Sequence, residues 1–225
     1  VKPYYEEYGI KIYHGDCREV IPEISFSVTV TDPPYGVNLG AYTGTSRYLN
    51  TPYASMEDTP EFIESVCVPA IRMCLEKSSQ LAMTPGNKCM FMYPRPDDIG
   101  VWYNPASTNR GKWGFSHVNA FIYFYGKDPH NTGKGMIPNS VSGHCDSVAG
   151  IDHPCPKPLK FARWLVGRAS TKNDSILDPF MGSGTTLLAA KNWGRTAVGI
   201  ELEERYCEVA ANRLRQAVID FETVA

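Results

Sequence analysis

Apolar positions along the chain fall into short runs and helical stripes that alternate. Gly9 to His14 alternates apolar and polar side chains, and Phe26 to Val30 is a β-branched run with an abrupt polar exit, so both read as strands. Gln80 to Thr84, Ser175 to Asp178 and Thr196 to Ile200 are further strands, and Val118 to Tyr125 is the one clear buried strand between residues 87 and 150. Between them lie helical patterns. Cys17 to Ile24 is a short one, and Asp58 with Glu61 three residues on has the form of a capped start. The stripe Phe62, Ile63, Val66, Ala70, Met73 and Cys74 follows, with a kink expected at Pro69. Pro158 starts a helix that buries Phe161, Ala162, Leu165 and Val166; Leu187 to Trp193 forms another, stopped at Gly194. Glu203 to Val218 closes the chain with Tyr206, Val209, Ala210, Leu214 and Ala217 on one face. Strands alternating with helices predict an α/β sheet.

The 225 residues suffice for one core, so a single domain over 1–225 is expected, with 87–150 as a small embedded irregular region. No apolar run is long enough to cross a bilayer and no export signal opens the chain, which predicts a cytoplasmic protein. Seven scattered cysteines without Cys-x-x-Cys pairs predict reduced thiols. His144, Cys145, His153 and Cys155 match no common zinc spacing, so no metal is expected.

The net charge of −2 conceals an asymmetry. Residues 1–76 carry 5 basic and 11 acidic side chains, residues 77–172 carry 12 and 5, and residues 173–225 carry 5 and 8. A basic middle between acidic ends suits a phosphate-binding face, although a solvated lysine surface has the same composition. Aromatics interleave with the cations there: Trp102, Tyr103, Arg110, Lys112, Trp113, Lys127 and Lys134. The aperiodic stretch Gly36 to Glu57 reads as a long loop, whose Arg47, Tyr42, Tyr48 and Tyr53 suit closure over nucleic acid.

Two strand exits carry candidate chemistry. The first is Asp32-Pro33-Pro34-Tyr35, after Phe26 to Val30. Proline offers a carbonyl without an N–H, Asp32 accepts hydrogen bonds, and Tyr35 offers a flat face with a polar tip. That set suits a planar ring with an exocyclic amine, such as a nucleobase, although the same residues also make an ordinary proline turn. The second exit, Asp178-Pro179-Phe180-Met181-Gly182-Ser183-Gly184-Thr185, is a strand, glycine turn and helix start of the kind that binds an adenosine-type cofactor. It is no P-loop and lacks the third glycine of the dinucleotide fingerprint. Glu201, 17 residues past Gly184, ends the next strand where an acid takes ribose hydroxyls. Asp16 ends the first strand, facing the same crevice.

Together Asp-Pro-Pro-Tyr, His-Pro-x-x-Lys-Pro, Asp-Pro-Phe-x-Gly-Ser-Gly-Thr-Thr and Gly-Ile-Glu resemble the β-class DNA amino-methyltransferases over nearly the whole chain, with Phe121 to Asp128 similar to small phage or prophage members. The resemblance implies a Rossmann-like, seven-stranded, mostly parallel sheet with helices on both faces, in the class I methyltransferase fold with permuted motif order. It implies S-adenosylmethionine as cofactor, leaving S-adenosylhomocysteine, and double-stranded DNA with a flipped-out base as substrate. Asp32, Pro33, Pro34 and Tyr35 would be catalytic. The cofactor would meet Asp16, Asp32, Lys157, Pro158, Asp178, Pro179, Phe180, Gly182, Ser183, Gly184, Thr185 and Glu201. Arg47, Tyr48, Arg110, Lys112, Lys127 and Lys134 are the candidate nucleic-acid contacts.

The leading Asp of the tetrad favours adenine N6, with cytosine N4 and adenine in RNA as alternatives; a protein amine is a further rival. A carbon-5 cytosine enzyme would need a nucleophilic cysteine, for which Cys155 is a superficial candidate, but that class does not use Asp-Pro-Pro-Tyr. A cofactor-binding fold that only binds nucleic acid would predict decay of the tetrad or the glycine turn, and both are intact. Residues 87–150 leave little room for a separate target-recognition domain, so the expectation is either weak sequence selectivity or selectivity supplied by that embedded element, by homodimerisation or by a partner protein.

Overall fold

The computed structural model describes residues 1–37, 58–105, 109–111, 114–131, 138–143 and 157–216, with backbone alone for 109–111 and 114–116. Among them nine strands form one sheet and two form a separate hairpin. β1 (Tyr5–Glu7) pairs antiparallel with β2 (Ile10–His14) at one edge. Next to β2 come β11 (Thr196–Glu201), β10 (Ser175–Asp178), β3 (Val28–Thr31) and β4 (Gln80–Met83), all parallel. Beyond β4 the direction reverses in β8 (Val118–Gly126), which pairs with β5 (Asp98–Tyr103), and β9 (Ser140–Ser142) lies parallel to β5 at the far edge. β6 (Asn109–Gly111) and β7 (Gly114–Ser116) are the hairpin.

The six strands read from the sequence are present as β2, β11, β10, β3, β4 and β8; β5, which sequence patterning does not single out, supplies the seventh of the implied sheet, and the short β1 and β9 extend it to nine among the described residues. Residues 87–150 are more regular than their Gly and Pro content predicts, since β5 to β9 all lie there.

The sheet is buried on both faces by alternation. Val28 and Val30 face one core with Ile10, Ile12 and Ile176; helices α4 (Leu159–Ala169), α5 (Thr185–Asn192) and α6 (Glu204–Gln216) cover it through Phe161, Leu187 and Ala210. Leu81, Leu177 and Ile200 face the other core, covered by α1 (Cys17–Val20) and α3 (Val68–Lys77).

Three local expectations are corrected. The first helix ends at Val20 and tightens into a 3-10 turn over Ile21–Glu23, where Pro22 lacks the N–H that would continue it. The cap near residue 60 is Thr59, whose hydroxyl accepts from the Phe62 N–H at 3.2 Å, and not Asp58. The helix it starts, α2 (Pro60–Phe62), passes through a π turn over Ile63–Cys67 into α3. The continuous helix expected there is thus interrupted by a widened turn just before Pro69, close to the expected kink.

Candidate active site

Because β2, β11, β10, β3 and β4 run parallel, their last residues share one edge of the sheet. Asp16 follows β2, Glu201 ends β11, Asp178 ends β10, Asp32 follows β3 and Thr84 follows β4. The middle two turns are tied directly: the Thr31 hydroxyl donates to Asp178 Oδ1 at 2.7 Å. The tetrad and the glycine turn are thus neighbours, joined by adjacent parallel strands.

Asp178 is 2 % exposed, and also accepts from the Phe180 N–H at 3.1 Å and from the Thr186 hydroxyl. Burial pushes its carboxyl up to about 6 against those hydrogen bonds, and the charge of nearby Asp32 adds to the rise. Glu201 bridges two loops, accepting from the Gly182 N–H at 2.9 Å through one oxygen and from the Glu203 N–H at 2.9 Å through the other. Burial raises its carboxyl as well. The Leu202 N–H also reaches it, so about one of its four acceptor sites stays open to a hydroxyl.

The turn between these acids is tightly held. Gly184 has φ +77°, and a Cβ there would lie 2.8 Å from that of Ala210 on α6, so this position tolerates only glycine. Arg213 from α6 donates to the Ser183 carbonyl, to the Ser183 hydroxyl at 3.0 Å and to the Thr185 hydroxyl at 3.1 Å. Ser183 and Thr185 are buried, and their hydroxyls are bound to Arg213, so these side chains hold the turn. Pro179 is buried beneath it and Phe180 half-buried at its rim.

Around Asp32 the geometry is equally definite. Oδ1 accepts from the Tyr35 hydroxyl at 2.7 Å and from the Thr84 hydroxyl; Oδ2 accepts from the Lys157 ammonium at 2.6 Å. Lys157 Nζ also lies 4.7 Å from the centre of the Tyr35 ring. Burial alone would push this ammonium down, but the Asp32 carboxylate outweighs it and holds the group well above the usual lysine range. A carboxylate offers about four acceptor sites, so three donors leave room for one more on Oδ2. Tyr35 is braced from behind, since a Cβ on Gly86 would lie 2.7 Å from its ring. Asp58, 3 % exposed, accepts from the Gly36 N–H at 2.6 Å and fixes the exit of the tetrad.

Pro33 is buried, Pro34 half-buried, and Pro158 buried at the start of α4 beside Lys157. Asp16 reaches the shared edge, but it caps α1 through the Arg18 N–H and forms an ion pair with the Arg18 side chain, which holds its carboxyl below the usual range. Lys127 is not brought to the site: it follows Gly126, which pairs with Gln80 at the opposite edge. Arg110 lies on β6. Arg47, Tyr48, Lys112 and Lys134 lie outside the described residues, as do Tyr42, Tyr53, Trp113 and the His144, Cys145, His153, Cys155 group. Thr31, Asp58, Thr84, Gly86 and Arg213 are site residues that sequence patterning did not single out; a threonine closing each of two strands beside a motif was the available signal.

The model of the DNA methylase family matches residues 26–212, from the strand before the tetrad through most of α6. The chain belongs to that family. The type II methyltransferase M.ScaI of Streptomyces caespitosus is 28% identical, over 95% of this chain and 84% of its own. M2.DpnII of Streptococcus pneumoniae, also a type II methyltransferase, is 25% identical over 95% of this chain and 92% of its own. Among solved structures, the PvuII DNA methyltransferase, described as cytosine-N4-specific, aligns over 97% of this chain and 90% of its own with TM-score 0.67 and 18% identity. The M1.HpyAVI–SAM complex aligns over 91% and 98% with TM-score 0.62 and 21% identity. These likenesses establish the class I methyltransferase fold. No described helix is long and apolar enough to cross a membrane.

Proposed function

We propose that this DNA methylase transfers a methyl group from S-adenosylmethionine to the exocyclic N6 amine of adenine in double-stranded DNA. The observation that carries the reading is the bond from Thr31 to Asp178, which sets an amine acceptor, Asp32, beside a glycine turn fit for the donor.

The residues present fit that cofactor. Gly184 lets the turn pack closely on α6 in a left-handed conformation, and Glu201, held by backbone N–H groups, keeps an acceptor site for a ribose hydroxyl. Asp178, Phe180, Gly182 and Lys157 line the same edge. When bound, S-adenosylmethionine supplies a sulfonium methyl, an electrophile open to a nitrogen lone pair. The chain does the rest by positioning. An aromatic amine is a weak nucleophile because its lone pair is conjugated with the ring. Asp32 Oδ2 takes one amine hydrogen in its remaining acceptor place and the Pro33 carbonyl takes the other, drawing the hydrogens out of the ring plane and releasing the lone pair from conjugation. Tyr35, braced by Gly86, stacks on the base. Donors and acceptors fixed beforehand need no reorganisation during reaction. The base must leave the duplex to reach them, since pairing occupies its amine.

The leading Asp of the tetrad favours adenine. Incubation with tritiated S-adenosylmethionine and unmethylated duplex DNA, then digestion to nucleosides, tests this. Label in N6-methyldeoxyadenosine is expected; label in N4-methyldeoxycytidine, in RNA or in protein would replace the substrate assigned here.

A further inference from the structure

We propose that the turn Lys88 to Tyr93 is a DNA-contacting wedge, with Phe91 entering the duplex beside the flipped base and Lys88 holding a flanking phosphate. The inference rests on the reading of the chain as a DNA methyltransferase and assigns part of its DNA surface.

The turn leaves the carboxyl end of β4 at Thr84 and passes directly behind the tetrad. Gly86 packs on the Tyr35 ring, and a Cβ on Gly36 would collide with Cys89 Sγ, so Cys89 touches the residue that follows Tyr35. Phe91 is two residues further, a reach of at most about 7 Å. It lies on a 3-10 turn, Met90–Met92, that is held rigidly: the Met92 N–H donates to the Cys89 carbonyl at 2.9 Å, and the Tyr123 hydroxyl donates to the Met90 carbonyl at 3.1 Å. Tyr123 pairs with Met83, the last residue of β4, so the turn sits level with the site edge. Downstream, the Tyr125 hydroxyl donates to the Pro94 carbonyl at 2.7 Å.

On this anchored turn the side chains divide sharply. Cys89 and Tyr93 are buried, whereas Phe91 is 88% exposed and Lys88 and Arg95 are exposed. Neither cation enters an ion pair among the described residues. Of the nearest acids along the chain, Asp97 accepts from the Gly126 N–H at the opposite edge of the sheet and Asp98 from the adjacent Ile99 N–H. A phenyl ring left in water on a braced backbone, three residues from an exposed lysine and beside a base pocket, fits one occupant well. DNA offers phosphates for the lysine and an apolar gap where a base has left the stack. Apolar wedges of this kind fill such gaps and offset the cost of unstacking.

The test begins by locating the modified site by sequencing DNA methylated by the enzyme. Two duplex oligonucleotides carrying that site are then compared, one fully paired and one with an abasic position opposite the target base. Phe91→Ala is expected to lose about 10–100-fold in kcat/KM on the paired duplex and under about threefold on the abasic one, because the latter has already given up its pairing. Phe91→Trp should restore activity on the paired duplex. With 2-aminopurine at the target position, the wild-type protein should brighten the paired duplex and Phe91→Ala should not. Lys88→Ala should weaken both duplexes equally and reduce the salt slope of binding by about one. Equal loss by Phe91→Ala on both duplexes, or no loss on either, overturns the wedge. Absence of methylation by the wild-type protein on any DNA instead overturns the underlying assignment, a separable result.

Discussion

The two halves of the sheet are built from similar strands but are used differently. In the parallel half, β2, β11, β10, β3 and β4 deliver Asp16, Glu201, Asp178, Asp32 and Thr84 to one edge, and hydrogen bonds between neighbouring turns lock them together. In the antiparallel half, alternate strand ends point to opposite edges, so β8 carries Lys127 away from the chemistry and contributes Tyr123 and Tyr125 as braces. Parallel strands concentrate polar ends at one edge, and the antiparallel extension supports the turn beside it. Under the function proposed above, the acids on the parallel side would serve reaction and cofactor, whereas the antiparallel side would act through the shape of the turn it holds.

That division can be broken by experiment. Asp32→Ala removes the acceptor on which Tyr35, Thr84 and Lys157 converge. Methyl transfer should fall about 10³-fold or more, by analogy with the loss of one preorganised transition-state group. Cofactor affinity measured by calorimetry should change little; a large loss there would place Asp32 in the cofactor pocket.

Next in size is a pH effect. Burial raises the Asp178 carboxyl to about 6 in the folded protein, from an ordinary aspartate value of 3.8. Its neutral form is favoured by folding, so its contribution is fully present below about pH 3.8 and is lost as pH rises through about 6. Asp178→Asn keeps the shape and an acceptor for Thr31 but cannot ionise. Denaturant titrations without cofactor should therefore show the variant gaining on the parent by on the order of 3 kcal/mol between pH 4 and 7. A constant difference across that range would mean Asp178 is not held neutral.

How far this was legible from sequence follows the same divide. β3, β10 and β11 are short apolar runs buried on both faces, each ending in residues that cannot continue a strand, so their exits could be read directly. β5 has only two buried positions and carries Gly100, into which a Cβ would collide with the Asn139 carbonyl of the neighbouring chain segment; β6, β7 and β9 are three residues each. Such segments carry no period, and only their partner strands define them. The misassigned cap has a related cause. Asp58 and Thr59 are both good caps, and Pro60 suits the first position after Thr59. Asp58 was claimed by Gly36, 22 residues away, an interaction that no local pattern encodes.

Glu201→Ala is expected to act more modestly. Losing a carboxylate hydrogen-bonded to the Gly182 and Glu203 N–H groups should weaken cofactor binding about 10–100-fold while leaving turnover at saturating cofactor within a few-fold. Unchanged affinity would remove Glu201 from the ribose role.

The smallest effect should come from Lys127→Ala, and it tests the comparison from its weaker side. Composition alone put Lys127 in a basic, aromatic-rich stretch suited to phosphate, yet Gly126 beside it pairs with the first residue of β4, so the lysine sits a full strand length from Asp32. Four residues of parallel strand span about 13 Å, beyond the Debye length of about 8 Å at physiological salt, so its charge acts on DNA at the site edge only weakly. Duplex affinity should change less than about twofold, against the larger, salt-dependent loss expected for Lys88→Ala. If instead Lys127→Ala weakened binding as much as Lys88→Ala, DNA would have to wrap onto the opposite edge. The antiparallel strands would then form a binding surface of their own and not the brace described above.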